Sequence, residues 1–457
     1  MSAPSLNEAL ALMNQQAYAA AANICRQYLA SHSEDFNAHH LLGLIQFKSG
    51  DLLNATRELE KASSLPVDKR FKAQALSNLA LVLQARNRLD DAGTALQQAV
   101  QLQPNELAFH LNLLGLLEKR GDWPTLLHHL QQHSALQYHP EARLYQAVAL
   151  RHQQQPEQAT ALLEVALNST EAEAEWSLNL CLLGQPDRVI RYAREQHYPA
   201  EWLIRVADYM AEEGLPRLAT PIYGAALQQA PDNACARHML DAAAGHCTEQ
   251  APAEYVSQLY DAHADAFEER LQQRLGYRAP ELIADRLAAL TRNQTTHTLL
   301  DLGCGTGLCG QALRQVLSPT RLIGCDLSPR MLEHAADKAV YDELIQGDLI
   351  SVLVDHAAID LITAADVLIY IGNLKPVLSA TFQSLKPGGL LALTIETCPD
   401  PNAVELDASG RYRHNPEQLQ QAAQEAGFAT EVLERFPLRR EHDAMLEGAL
   451  LILRRPG

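Results

Sequence analysis

The hydrophobic rhythm of the chain changes once. From Leu6 to about Ala244, apolar residues recur three or four positions apart, and Gly and Pro fall at short breaks. This pattern predicts helix after helix and no strand. A linker follows over residues 246–252, and then helices are predicted over Ala253–Leu271 and from Tyr277 to about Thr291. Beyond them short apolar runs alternate with helical segments. The strand candidates are Thr298–Leu302, Arg321–Cys325, Glu343–Gln346, Ile359–Ala364, Leu390–Ile395, Thr430–Arg435 and Ala449–Leu453. Alternating strands and helices predict a mostly parallel sheet covered on both faces. The last two runs have no clear helix between them, which predicts an antiparallel hairpin at the sheet edge.

The helical half repeats itself. Its clearest unit, Leu76–Pro104, carries Leu76, Leu79, Ala80, Leu83, Asn87, Ala92, Leu96, Ala99 and Pro104. Small residues at Ala80, Ala92 and Ala99 suit the places where two helices of a hairpin approach closely, and Pro104 ends the second helix. Leu42, Gly43, Gly50, Ala55, Leu59 and Ala62 make an earlier copy. Ala207, Gly214, Ala219, Tyr223, Ala226 and Pro231 make a late one, with weaker copies around Leu113–Leu130 and Ala147–Ala166. Asn87 and Gly121 lie 34 residues apart. Over roughly residues 3–240 the chain resembles tetratricopeptide repeats. Hairpins of this kind cannot bury their apolar faces alone and stack into a superhelix. The resemblance implies a concave face that binds a peptide or another protein; a spacer or dimerisation module is the alternative.

Composition narrows the picture. Of 457 residues, 47 % are apolar, enough for packed cores in two or three domains. The formal net charge of -18 repels phosphate backbones, so no nucleic-acid partner is expected. The 8 cysteines are scattered and form no CxxC pair, which reads as buried free thiols in a reducing compartment. No stretch has a signal peptide's pattern or the length of a membrane span, so a cytoplasmic protein without a membrane partner is expected.

The chemistry concentrates in TLLDLGCGTGLCGQALRQVL. A strand ends at Asp301, a glycine loop follows, and a helix is predicted to open near Thr306. Gly305, Gly307 and Gly310 satisfy GxGxxG, the dinucleotide pattern. Gly303, Gly305 and Gly307 after Asp301 satisfy DxGxGxG instead. A carboxylate at the strand end sits badly beside a pyrophosphate but suits a ligand bearing an ammonium and a sulfonium. The next strand ends at Asp326, placed to accept hydrogen bonds from ribose hydroxyls. Ser328 is the expected N-cap of the following helix. Asp348 and Leu349 follow the third strand, Asp366 follows the fourth, and Lys386–Gly389 form a turn before the fifth.

Taken in order, DLGCGTG, CDLS, GDL, Ala365–Asp366 and LKPGG resemble class I S-adenosylmethionine-dependent methyltransferases over residues 297–395. The flanking segments resemble bacterial methyltransferases fused to tetratricopeptide repeats. The fold class implied is an all-α tetratricopeptide solenoid (1–245), a linker (246–252), and an α/β Rossmann-like methyltransferase domain (253–457) with a seven-stranded sheet. The resemblance implies S-adenosylmethionine as cofactor. Asp301, Gly303, Gly305 and Gly307 would contact its methionine part, Asp326 and Leu327 its ribose, and Asp348 and Leu349 its adenine. Asp366 would lie near the methyl-transfer centre. The helices before the first strand would lid the cofactor, with Tyr277 and Arg278 reaching the methionine carboxylate or, alternatively, serving as lid packing and a surface charge.

Tyr370 follows the fourth strand, and His414 lies in a region that commonly lines the acceptor pocket, either as a general base or as a surface-loop histidine. The catalytic candidates are therefore Asp366, Tyr370 and His414. His129 and His133 have i, i+4 spacing but read as a solvated helix face, and no metal site is expected. The acceptor is a peptide, a protein or a small molecule. A scaffold that binds S-adenosylmethionine without turnover is the rival reading, and a nicotinamide-dependent oxidoreductase a weaker one.

Overall fold

Helix pairs fill the first two fifths of the chain. They are α1 (Leu6–Asn14) with α2 (Tyr18–Leu29), α3 (Phe36–Lys48) with α4 (Leu52–Ser64), α5 (Lys69–Ala85) with α6 (Leu89–Leu102), α7 (Leu107–Lys119) with α8 (Trp123–Gln132), and α9 (Pro140–His152) with α10 (Pro156–Glu164), followed by α11 (Thr170–Leu182). The computed structural model describes residues 5–268, 277–291, 297–398, 400, 404–441 and 444–457. They form two compact units, Met1–Gln185 and Pro186–Gly457.

In the first unit, Asp35, Asp51, Asp68, Asp122 and Ser169 each accept a backbone N–H in the first turn of the helix they precede. Ala55, Ala80, Ala92 and Ala99 are fully buried beside Leu59 and Leu96, so the small residues do lie where helices meet closely. One expectation fails here. His129 and His133 do not form a solvated face. His129 Nε2 lies 2.9 Å from Nδ1 of the buried His110 on α7, and the three rings pack with centroids 4.5–5.1 Å apart. Burial first, and then the neighbouring imidazoles, pull His129 down to a pKa of about 4.

The second unit opens with α12 (Pro186–Glu195), α13 (Ala200–Glu212), α14 (Pro216–Gln229) and α15 (Ala234–Ala244). Residues 246–252, expected as a linker, are pinned in place. Gln250 pairs with Ile371, the Ala251 N–H donates to the Tyr370 carbonyl, and Gly372 and Asn373 donate to the Glu249 carbonyl. Helix α16 (Ala253–His263) ends sooner than expected and passes into a 3-10 turn, Ala264–Ala266; residues 269–271 of the expected helix lie outside the described residues. Helix α17 (Ala279–Thr291) begins two positions after Tyr277.

The sheet contains β1 (Thr298–Leu302), β2 (Arg321–Asp326), β3 (Glu343–Gln346), β4 (Ile359–Ala364), β5 (Leu385–Glu396), β8 (Ala429–Glu441) and β9 (Ala444–Arg454) in the order β3-β2-β1-β4-β5-β9-β8. The first five are parallel, and β9 runs antiparallel to both β5 and β8, giving the expected hairpin at the edge. The expected turn at Lys386–Gly389 is absorbed into β5 as a bulge. Ile359 pairs with Leu385, but Leu361 pairs with Leu390. A short ribbon, β6 (Glu405–Leu406) with β7 (Tyr412–Arg413), was not legible in the sequence.

Apolar runs cover both faces because helices pack on both. Leu299, Leu322, Leu361 and Leu450 face α17 and α18 (Leu308–Leu317). Leu300, Ile323, Ile362, Leu391 and Leu451 face α20 (Leu349–Asp355), α21 (Lys375–Ser384) and α22 (Pro416–Glu425). Helix α19 (Pro329–Asp337) joins β2 to β3. The strand order reverses between β1 and β4, so their C-terminal ends flank the crevice where open α/β sheets bind ligands.

Candidate functional site

The loop after β1 is built by close approach. Gly303 has φ +60°, and a Cβ there would lie 2.2 Å from Val367 Cγ2, on the segment after β4. Any side chain at 303 would push these two strand ends apart. Gly310 has a different duty. A Cβ there would lie 2.3 Å from the Tyr341 ring, so the third glycine of the formal GxGxxG makes room for an aromatic side chain. Helix α18 opens at Leu308 rather than Thr306, and Gly307 precedes it with no side chain capping its first N–H groups.

Asp301 is 1 % exposed. Thr363 Oγ1 donates to one carboxylate oxygen at 2.6 Å, and Tyr341 Oη donates to the other at 2.7 Å. Burial outweighs these bonds and raises its pKa to about 6. The carboxylate read from the sequence as a partner for a ligand ammonium is thus already held by hydroxyls of the chain.

Asp326 ties two loops together. Oδ2 accepts the Gly305 N–H and Oδ1 the Ser328 N–H, both at 2.9 Å. Burial raises its pKa against those bonds. Ser328 caps α19 as expected, and its hydroxyl donates to Asp261 of α16 at 2.5 Å. The Leu327 carbonyl accepts from Ser257 at 3.4 Å. Asp348 is exposed and accepts the Ile350 and Ser351 N–H groups at 3.1 Å as the N-cap of α20, whose first residue is Leu349.

At the end of β4, Asp366 adopts φ +55°. Its N–H donates to Thr394 Oγ1 at 2.8 Å, and its Oδ2 pairs with Arg439 Nη1 at 2.8 Å. Arg439, a buried residue of β8, also pairs with Glu396, which is fully buried at the end of β5. Arg411 and Arg413 approach Glu396 at 3.4 and 3.8 Å, and Arg413 pairs with Asp407 at 3.1 Å. The half-buried Tyr277 lies within the fields of both Asp366 and Asp301, and burial pushes its hydroxyl pKa well up. Arg278, one position on, is exposed.

Tyr260 of α16 meets Tyr370 edge to face, with centroids 5.8 Å apart, and feels the charges of Asp366 and Asp326. Tyr370 is buried with Tyr412, Leu406, Ala251 and Ala242. His414 is 3 % exposed, so the surface-loop alternative is excluded. Its backbone N–H donates to the Glu396 carbonyl, its buried Nε2 has no hydrogen-bond partner among the described residues, and burial lowers its pKa to about 4. Asp301, Asp326, Asp366 and the glycine loop therefore gather at the C-terminal ends of β1, β2 and β4, with Tyr277 within the fields of Asp301 and Asp366 and Tyr370 against Tyr260, whereas Asp348 and Arg278 are exposed. Sequence reasoning missed Thr363, Tyr341, Glu396 and Arg439. Thr363 and Glu396 left a trace, being polar positions in otherwise apolar strands, while Tyr341 and Arg439 left none.

Residues 300–391 match the family model described as "Methyltransferase domain". The chain is 30 % identical over 106 residues to a malonyl-[acyl-carrier protein] O-methyltransferase of Yersinia pestis, covering 23 % of this chain and 39 % of that one. It is 27 % identical over 178 residues to the Hahella chejuensis protein of the same name, covering 36 % and 62 %. It thus spans less than two thirds of the length of either relative. Among solved structures, magnesium protoporphyrin IX methyltransferase from Synechocystis PCC 6803 is similar at 16 % identity, a TM-score of 0.33, and coverage of 44 % of this chain and 96 % of that one. The C-terminal half of this chain contains a class I S-adenosylmethionine-dependent methyltransferase domain.

Proposed function

We propose that the protein transfers a methyl group from S-adenosylmethionine to an acceptor recruited by its helical array. The observation that carries this reading is the match of residues 300–391 to a methyltransferase domain, from the glycine loop to β5. The chemistry of the crevice supports it. The uncapped N-terminus of α18 offers N–H groups to the methionine carboxylate. A Cβ on Gly305 would meet only Phe267, at 4.0 Å, so the loop backbone is approachable there. Asp326 keeps lone pairs for ribose hydroxyls, with Leu327 beside it, and Asp348–Leu349 take the adenine edge. Gly303, Gly305 and Gly307 shape the methionine site, Asp301 holds their loop, and Tyr277 with Arg278 closes it.

S-adenosylmethionine supplies an electrophilic methyl on a sulfonium, and an O, N, S or C atom of the acceptor is the nucleophile. The chain's own work is then to position and desolvate the acceptor. Asp366 and Tyr370 line the transfer region in this reading, and His414 stays neutral through physiological pH, as a proton acceptor must. Two relatives are named for carboxylic acceptors, malonyl-[acyl-carrier protein] and trans-aconitate, so carboxylates come first among acceptors to be screened. The helix pairs, read as tetratricopeptide repeats, serve as the recruiting surface for the acceptor, its carrier or a partner protein.

Isothermal titration with S-adenosylmethionine, S-adenosylhomocysteine and NADH tests the cofactor. Micromolar binding of both adenosyl ligands, lost in Asp326→Ala and absent for NADH, is the expected result. If neither adenosyl ligand binds, the enzyme reading fails and a non-catalytic scaffold replaces it.

A further inference from the structure

Three imidazoles converge in the first unit, far in sequence from the methyltransferase domain. His110 sits on α7, His129 on α8, and His133 at the C-terminal end of α8. One ring nitrogen from each lies within 4.8 Å of the other two. We propose that these three histidines bind a single divalent transition-metal ion of the zinc class, clamping α7 to α8.

The geometry favours ligation over simple stacking for three reasons. First, His110 Nε2 lies 2.9 Å from the Pro104 carbonyl, so it carries the proton and leaves the Nδ1 lone pair facing the cluster. A metal-ligating histidine is commonly oriented in this way, by donating its other N–H to a backbone carbonyl. Second, His110 Nδ1 and His129 Nε2 stand 2.9 Å apart with one proton between them. At a metal–nitrogen distance of about 2.0–2.1 Å, tetrahedral ligands lie roughly 3.4 Å apart. The two nitrogens need separate only slightly, while His129 carries its proton on Nδ1 instead of Nε2. Third, the His133 ring packs against both others and makes no hydrogen bond among the described residues, so its donor atom is uncommitted.

Among the described residues no carboxylate or thiolate belongs to the cluster, which disfavours calcium or magnesium and favours an imidazole-preferring ion. His110 is buried and the other two are half-buried, so a fourth position open to solvent remains for water. The site joins two consecutive helices, so the ion would stabilise the folded array by binding it and not the unfolded chain.

The test uses the full chain, stripped with a chelator, its thiols alkylated to remove cysteine binding, and titrated with zinc chloride alone. One equivalent should bind and Tm should rise with zinc concentration. His129→Asn and the less buried His133→Asn should each weaken binding at least tenfold. Cobalt(II) should give the visible absorption of a tetrahedral nitrogen site in the wild type and lose it in both variants. Binding well below one equivalent in the wild type overturns the proposal. So does zinc binding that both substitutions leave unchanged. A variant that misfolds does not decide the matter, because the wild-type stoichiometry and cobalt spectrum still do.

Discussion

Neighbouring ends of the sheet hold their carboxylates in different ways. Asp301, after β1, is buried among neutral hydroxyls: Thr363 on the adjacent strand and Tyr341 just before β3. Asp366 and Glu396, after β4 and at the end of β5, are held by a full positive charge on Arg439. Hydroxyls donate to a carboxylate but also accept from a carboxylic acid, so Asp301 can be neutral in place. Arg439 cannot lose its charge, so removing either partner would leave a buried cation less compensated. The two ends also differ in how local they are. The β1 end is completed by residues of the sheet and its nearest loops. The β4–β5 end is completed by β8, by the β6–β7 ribbon, and by α15, whose His238 donates from Nε2 to the Gly410 carbonyl at 2.9 Å. One end is self-contained; the other is assembled from distant chain.

The largest effect should come from breaking the assembled end. Arg439→Met leaves Asp366 and Glu396 buried without their shared cation, and should cost ~3–5 kcal/mol of stability in denaturant titration. A loss below about 1 kcal/mol would mean that water already reaches the network, and the contrast between the two ends would collapse. Truncation is the next test. Residues 246–457 lack α15, whose Ala242 packs with Ala251, Tyr370 and Tyr412, whereas residues 186–457 keep it. The shorter fragment should be less stable by roughly 2–4 kcal/mol, through lost apolar burial and the exposed Gly410 carbonyl contact. Equal unfolding midpoints would show that α15 is only attached. If the array recruits the acceptor, removing residues 1–185 should raise KM for it and leave S-adenosylmethionine affinity intact.

What was legible in the sequence follows the same divide. At the β1 end the loop was legible, because Asp301, Gly303, Gly305 and Gly307 are close together in the chain and each leaves a local mark, but the Thr363 and Tyr341 hydroxyls that hold Asp301 were not. The sheet was read nearly residue by residue for β1, β3 and β4, where apolar runs stop at turn residues. The β4–β5 end was not, since Arg439 lies 73 positions from Asp366 and nothing local distinguishes it from a surface arginine. The same blindness explains His129. Its i, i+4 partner His133 was visible, but His110, one helix away, was not, and without it a solvated face was the natural reading. The compact division after Gln185 was also hidden, because helix periodicity says nothing about which neighbour a helix packs against.

The self-contained end can be probed more gently. Tyr341→Phe keeps the ring that fills the space over Gly310 and Gly324 and removes only the hydroxyl on Asp301. It should cost about 1–3 kcal/mol, the range for leaving one buried acceptor short of a donor. It should also raise the Asp301 pKa further, because a bond that favours the charged form is gone.

Asp301→Asn should have the smallest effect on stability at neutral pH and the most informative pH dependence. Asp301 titrates at about 6 in the folded chain, against 3.8 ordinarily. The folded state therefore holds this proton more tightly than the unfolded chain does. The stability it contributes is full below about pH 4 and is lost as pH rises through about 6. His414 runs the other way. Its pKa of about 4 against 6.5 means that its contribution is present above 6.5 and lost as pH falls through 4. A wild-type pH profile mixes the two, but the difference between wild type and Asp301→Asn cancels His414. That difference should favour the wild type most in acid, shrink between about pH 4 and 6, and be flat above. A flat difference throughout would mean that Asp301 is ionised in place. Titration of the same variant with S-adenosylmethionine at pH 7.5 then separates structure from recognition. If the carboxylate charge attracts the ligand's ammonium, affinity falls about tenfold or more while the neutral-pH Tm holds or rises. If Asp301 only positions the loop, affinity stays within about threefold, and the recognition role passes to the backbone of Gly303 and Gly305.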